Sequence, residues 1–289
     1  MSVKDDALQS PWNHPASIFA EQMSTWETDG YVILKGFFAH AVVKAVNRLV
    51  DQLWSVQTQL DSKLSVDVYL ENPKQERLLF SHAPLAARQA PYKINDLFLE
   101  SPLVRSIMLD QRLRDILKTL LDGEPLLMNS LNFERGSGQP SHVDTLFISP
   151  RKREKLVVVW LALESICSES GPLLVYPGSH KIVPFQARNG GTRIEADEMP
   201  QFNHYMEAQL RKHNIKAKEF IAEPGDVLIW HAQLLHGGKT VQDPHKTRKS
   251  LVCHYFRKQE YWLKPWRVKR AEQGGHYYMR PHQRVAKQA

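Results

Sequence analysis

Three side chains in two short stretches of the chain could together hold a metal ion. His142-Val143-Asp144 follows the glycine-rich turn RGSGQP and precedes TLFI, so it lies at the start of a strand or in the extended chain leading to it. In extended backbone residues i and i+2 project to one side, where an imidazole and a carboxylate can bind the same cation. With 13 histidines in the chain a His-X-Asp by itself has little weight, so a third ligand is needed. The segment GDVLIWHAQLLHGG supplies one at His236, followed by Gly237 and Gly238, which let other groups approach closely. Two His and one carboxylate form a facial triad that leaves positions open on ferrous iron, an arrangement suited to Fe(II) oxygen chemistry. His231 competes for the third place. Its odd separation from His236 puts the two on opposite faces of a straight strand, so only one should reach the site, and His236 is preferred.

Open positions on a ferrous site usually hold a co-substrate. A dicarboxylate that chelates iron at one end needs a cation at the other, and the guanidinium fork matches carboxylate geometry better than an ammonium. Arg248, in Thr247-Arg248-Lys249 at the head of the run SLVCHYF, is the candidate for that role. Taken alone, an Arg at a strand end is more often a solvated charge.

These residues need a rigid scaffold, and the composition allows one. The 289 residues are 42% hydrophobic and 24% charged, which excludes a disordered or fibrous chain. The longest apolar run, residues 156–163, is far short of the roughly 20 residues of a membrane-crossing helix. Residues 1–15 contain no apolar stretch that could form the core of a signal peptide, and a cytoplasmic location is expected. Cys167 and Cys253 are expected to be reduced, buried thiols.

YVILKGFF at 31–38 reads as a strand, and Val42, Val46, Leu49, Val50 and Leu53 recur at helical spacing, which predicts a helix over about 40–60. Leu103, Ile107, Leu113, Ile116, Leu117 and Leu120 mark a second helix, stopped by Gly123. From residue 125 short β-type runs alternate with turns: LLMNSLNFE, TLFIS, KLVVVWLAL, PLLVY, KEFIA, DVLIWH and KSLVCHYF. The expected fold class is mainly β with N-terminal helices, a sandwich or barrel. One domain over 1–289 is expected, with helical support at about 1–124 and a β core at about 125–256. The long insertion 181–217 carries a helical pattern near Phe202, Tyr205, Met206 and Leu210, and a lid over a pocket is its functional reading.

Charge is unevenly placed. Residues 257–289 contain nine Lys or Arg against Glu260 and Glu272, so this segment alone holds the net charge of +7. Tyr261, Trp262, Trp266, Tyr277 and Tyr278 are interleaved with the cations. Such a pattern could serve a nucleic acid, but phosphate contacts should spread over a face rather than one terminus. The stronger reading is a segment whose aromatics pack onto the body while its cations stay solvated. Attraction of an anionic substrate is the next reading.

Taken together, these motifs resemble the phytanoyl-CoA dioxygenase family of non-haem Fe(II), 2-oxoglutarate-dependent oxygenases. The resemblance runs over about residues 85–256 in four ordered segments: His142-X-Asp144, VVVWLALESICSESGPLLVYPGSHK, GDVLIWHAQLLHGGKT and TRKSLVCHYF. It implies a double-stranded β-helix, a jelly-roll, cupin-like core with the ligands on its inner face. It assigns His142, Asp144 and His236 to iron and Arg248 to the distal carboxylate of 2-oxoglutarate. Lys93 and Trp160 resemble positions that line the co-substrate pocket in some members, and Asn132, two places on from Ser130, would face that pocket too. Gly238 departs from relatives that carry a hydroxyl residue there, so that contact is absent or supplied elsewhere. The implied reaction consumes O2 and 2-oxoglutarate, releases succinate and CO2, and hydroxylates an unactivated C–H bond of a small molecule. Asp144 favours hydroxylation over halogenation, because halogenating relatives replace that carboxylate by a small residue. Desaturation or cyclisation is the alternative outcome, and a non-catalytic metal-containing β-barrel binding or sensing module is the alternative from another class. Substrate identity and oligomeric state stay open.

Overall fold

The computed structural model describes residues 16–70, 75–191, 193–261 and 264–285; residues 1–15, Trp262 and Lys287 lie outside them. The first half of the chain is built of α1 (Ala16–Asp29), β1 (Tyr31–Leu34), α2 (His40–Ser55), β2 (Ser65–Val68), β3 (Glu76–Leu79), β4 (Tyr92–Asn95), α3 (Pro102–Met108), α4 (Gln111–Leu121) and β5 (Pro125–Phe133). It continues with β6 (Leu156–Ala162), β7 (Leu173–Val175), α5 (Met199–Lys212), β8 (Lys218–Phe220), β9 (Val227–His231), β10 (His236–Gly238), β11 (Ser250–Arg257), β12 (Val268–Arg270) and β13 (His276–Tyr278).

Two sheets face each other as a jelly roll. The large one has the order β1-β9-β6-β11-β5-β4-β2-β3, with the β12-β13 pair added alongside β5, and the small one has the order β10-β7-β8. Alternation along the strands divides the apolar residues between two cores. On β6, Val158 and Trp160 point inward to meet Leu173, Val175 and Phe220 of the small sheet. Val157, Val159 and Leu161 point outward into a second core shared with Val43, Val46 and Val50 of α2 and Leu113 and Leu117 of α4, the helix that lies against β6. A third cluster, around Phe202 and Met206 of α5, packs the 181–217 segment onto Val143, Leu146 and Leu235, beside the proposed ligands.

Several expectations are corrected. The first 124 residues are not helical support alone, since β1 to β4 extend the large sheet at both ends. The apolar pattern at 103–120 is two helices, because Asp110 accepts bonds from the amides of Arg112 and Leu113 and so caps α4 in mid-pattern. Asp122, rather than Gly123, takes the left-handed position after α4. TLFIS is not a strand: the chain turns tightly at Asp144–Leu146, and the amides of Phe147 and Ile148 both donate to the Asp144 carbonyl. Val143 and Leu146 then share the α5 cluster, a spacing a turn satisfies and a strand does not. Of the two free thiols, Cys253 is buried but Cys167 is half-exposed, and Lys246 Nζ donates to its Sγ at 3.3 Å.

Gly225 ties the N-terminal part to the large sheet. It has φ +94°, its carbonyl accepts from the Phe38 amide and its own amide donates to Ala162. A Cβ there would overlap the Phe38 carbonyl oxygen. Gly225→Ala is therefore expected to destabilise the protein by about 1–3 kcal/mol from backbone strain alone, as read from the urea unfolding midpoint; an unchanged midpoint would contradict this placement.

Candidate metal and co-substrate site

The site begins with backbone pairing. His142 and His236 exchange both N–H···O bonds, at 2.8 and 3.0 Å, in an antiparallel bridge that extends the small sheet. Directly paired residues share one face, and the two imidazoles lie 4.5 Å apart between ring centres. A Cβ on Gly237 would come within 2.9 Å of the Ser141 backbone, so this approach needs glycine. The Asp144 amide donates to the Ala232 carbonyl at 3.1 Å, holding the carboxylate on the same side. Ligand atoms of His142, Asp144 and His236 all lie within 4.8 Å of one another, and all three side chains are buried.

The surroundings decide which atoms are free. His142 Nδ1 donates to the Pro140 carbonyl at 2.8 Å and His236 Nδ1 to the Leu234 carbonyl at 3.0 Å, which leaves both Nε2 atoms as electron-pair donors. Trp230 Nε1 donates to Asp144 Oδ2 at 2.8 Å, and its ring packs 4.7 Å from that of His236. Asp144 Oδ1 faces His236 Nε2 at 3.7 Å and His254 Nε2 at 3.3 Å. His254 also reaches Asn129 Oδ1 through Nδ1 at 2.7 Å. Burial, reinforced by His236, pushes the His142 imidazole down to about 4, so it is neutral and able to ligate. Burial raises the carboxyl of Asp144, but the neighbouring histidines outweigh it and hold the group well below the usual range. This donor set fits a divalent transition metal.

Arg248 shares the inward face of β11 with Ser250, Val252, His254 and Phe256. It is 3% exposed, and its Nε and Nη1 have no hydrogen-bond partner. Burial alone perturbs it, pushing it down to about 10, with no acidic group opposing. A Cβ on Gly136 would overlap the guanidinium, so that turn is shaped around it. Ser250 Oγ, fully buried two residues along the same face, is also unpartnered. A carboxylate placed between them would satisfy these orphaned donors. Glu164 fixes the approach by accepting from Thr247 Oγ1 at 2.8 Å and the Lys249 amide at 2.6 Å, on either side of Arg248. Ser179, in the PGSHK motif, likewise accepts the Leu235 amide beside His236 at 2.8 Å.

A cavity of about 1120 Å³ reaches two members of the triad, His142 and Asp144, and is also lined by His254. Lys93 lines it, 3.3 Å from Asp67. Trp160 points inward but packs on Phe220 in the core, at 5.6 Å between ring centres. Asn132 lies on the opposite face of β5, where its Nδ2 donates to the Ser250 carbonyl at 3.3 Å. The reason is a bulge opposite His254/Tyr255, which reverses inward and outward beyond Met128. Ser130, used as the reference, therefore faces the Phe98 amide, while Asn129 and Leu131 line the cavity. His231 faces away from the triad, packed against Trp26 and His180. Asn129, Trp230, Ser250 and His254 belong to no motif that the sequence analysis identifies; the even spacing of Ser250 and His254 from Arg248 is the one sequence signal that could mark two of them.

The fold and triad are those of the non-haem Fe(II), 2-oxoglutarate-dependent dioxygenases, and the protein is one of them. The phytanoyl-CoA dioxygenase (PhyH) family matches residues 26–250, and the chain belongs to that family. Ectoine dioxygenase of Sphingopyxis alaskensis is 24% identical over 256 residues, covering 81% of this chain and 74% of the relative. Peroxisomal phytanoyl-CoA dioxygenase of Homo sapiens is 29% identical over 129 residues, 42% of this chain and 34% of the relative. Among solved structures, EctD from S. alaskensis with bound Fe superposes with TM-score 0.62 at 20% identity, covering 98% of this chain and 92% of that one. The α-ketoglutarate-dependent carbocyclase SnoK from nogalamycin biosynthesis gives 0.60 at 15% identity, with coverage of 82% and 83%.

Trp230→Phe keeps the ring and removes only the donor to Asp144. Metal affinity should fall by about 10–100-fold with the fold intact, as measured by titration with Co(II); unchanged affinity would remove Trp230 from the site. His231, pushed down to about 4 chiefly by burial, is favoured neutral in the fold. Its contribution to stability is therefore present above the unfolded value near 6.5 and is lost as pH falls toward 4, at up to ~1.4 kcal/mol per pH unit. His231→Gln should flatten that acid loss in thermal melts while leaving metal affinity unchanged.

Proposed function

We propose that this dioxygenase hydroxylates an unactivated C–H bond of a small anionic molecule. The single observation that carries the reading is the pairing of a buried His142–Asp144–His236 triad with a buried, acid-free Arg248 on the same inner surface. His142 Nε2, Asp144 Oδ1 and His236 Nε2 would hold Fe(II), and Arg248 with Ser250 would hold the distal carboxylate of 2-oxoglutarate. When bound, iron, 2-oxoglutarate and O2 supply an oxidative decarboxylation to succinate and CO2 that is coupled to C–H oxidation.

The chain's own groups do the rest. Pro140 and Leu234 carbonyls fix the imidazole tautomers, and the hydrogen bond from Trp230 keeps the Asp144 carboxylate turned. Ser250 replaces the hydroxyl that Gly238 lacks. Lys93, Arg77 and Asp67 together leave one positive charge at the cavity wall. Lining by seven Lys or Arg against one acid, Asp144, supports an anionic substrate. Asp144 supports hydroxylation over halogenation; desaturation or cyclisation would follow from a different substrate placement on the same groups.

Anaerobic addition of Fe(II) and then 2-oxoglutarate to metal-free protein should develop the visible charge-transfer absorption of the chelate. His236→Ala should abolish it. Arg248→Ala should raise the 2-oxoglutarate concentration needed by at least about 100-fold and Ser250→Ala by about 10-fold, as expected for losing hydrogen bonds to a charged group. Metal binding without any such band would favour a non-catalytic metal-containing barrel.

A further inference from the structure

The C-terminal segment is part of the cavity. β13 pairs in parallel with β5 through His276↔Leu126 and Tyr277↔Leu127, and the Met279 amide donates back to the Arg267 carbonyl at 2.8 Å. Tyr278 is buried in the inner core and meets the Tyr261 ring at 4.4 Å. Arg280 lies 3.4 Å from the buried Asp96, and His282 lies 3.2 Å from Glu100. These contacts anchor the segment and set its cations along the cavity wall.

The charges there do not cancel. Arg77 and Lys93 share Asp67, and Arg280 faces Asp96. Lys264, Arg267, Arg284 and Arg193 line the same cavity with no acidic partner among the described residues, and the Arg267 guanidinium donates to the Met279 carbonyl at 3.5 Å. The same lining also carries the apolar Met128, Leu131, Ile148 and Phe256. Phe147 is 46% exposed there, although its ring lies 5.3 Å from that of His142. A large apolar side chain left open beside a metal ligand is a surface for a ligand to cover.

We infer that Arg267 and Lys264 are the specificity-determining residues of the substrate site, and that the substrate is an amphipathic organic anion. Its apolar body rests on Phe147 next to the triad and its terminal carboxylate or phosphate lies against the C-terminal cations. The inference rests on the oxygenase reading above. Nucleic acid fits less well, because these cations converge on one cavity that also has apolar lining residues, instead of spreading over an open face.

Calorimetry on the Fe(II)- and 2-oxoglutarate-loaded protein under anaerobic conditions, with three probes of one body, tests this: 3-phenylpropanoate, 2-phenylethyl phosphate and the neutral 3-phenylpropan-1-ol. At low salt at least one anion should bind about tenfold or more tightly than the alcohol, and the better anion identifies the acid group. Arg267→Gln and Lys264→Gln, the latter at an exposed position, should each reduce that preference and together abolish it while leaving the alcohol unchanged. Phe147→Ala should weaken all three probes alike. The chelate absorption is read in the same samples, so loss of the oxygenase reading shows as a missing band and loss of this one shows as missing anion preference with the band present. Equal affinities, no binding of any probe, or an effect of the variants confined to 2-oxoglutarate would overturn the inference.

Discussion

The reciprocal backbone hydrogen bonds between His142 and His236 are the constraint on which the site depends. They join a strand-like stretch after a glycine-rich turn to a three-residue strand of the small sheet, and so place two imidazoles side by side. Everything nearby serves that contact: Gly237 allows the approach of Ser141, Ser179 holds the Leu235 amide, and α5 packs over Val143 and Leu235. The tight turn at Asp144–Leu146 then keeps the carboxylate beside the rings instead of carrying the chain onward as a strand.

Two kinds of buried charge coexist in the molecule, and the difference between them is informative. Asp67 and Glu134 are saturated by Arg77, Lys93, Arg88 and Tyr92, as buried carboxylates must be if they are to stay ionised. Arg248 is the opposite case, enclosed as fully yet left without an acid. An uncompensated buried guanidinium is costly in the free protein and becomes favourable only when an anion arrives, which is the economy expected of a binding residue.

The basic C-terminal segment follows the same logic on a larger scale. Tyr261 and Tyr278 pack into the body as amphipathic side chains do, while Lys264, Arg267, Arg280 and Arg284 line the cavity and Lys269, Arg270 and Trp266 stay exposed.

Much of this was legible in the sequence because it is local. Strands 125–133, 156–162, 227–231 and 250–257 announce themselves by apolar runs between turn residues; the His-X-Asp spacing, the glycines after His236 and the parity that excludes His231 need no partner to be read. What the tertiary structure decided is everything that depends on register or on groups distant in the chain. A one-residue bulge on β5 sends Asn132 outward and Asn129 inward, and no periodicity in the sequence marks it. Trp230 and His254 reach Asp144 across 86 and 110 residues, and Lys264, Arg267, Arg280 and Arg284 join the lining of a cavity that His142 and Asp144 enter from more than a hundred residues earlier. Local pattern determines which face of an element is apolar; only the packed sheets determine which side chains that face meets.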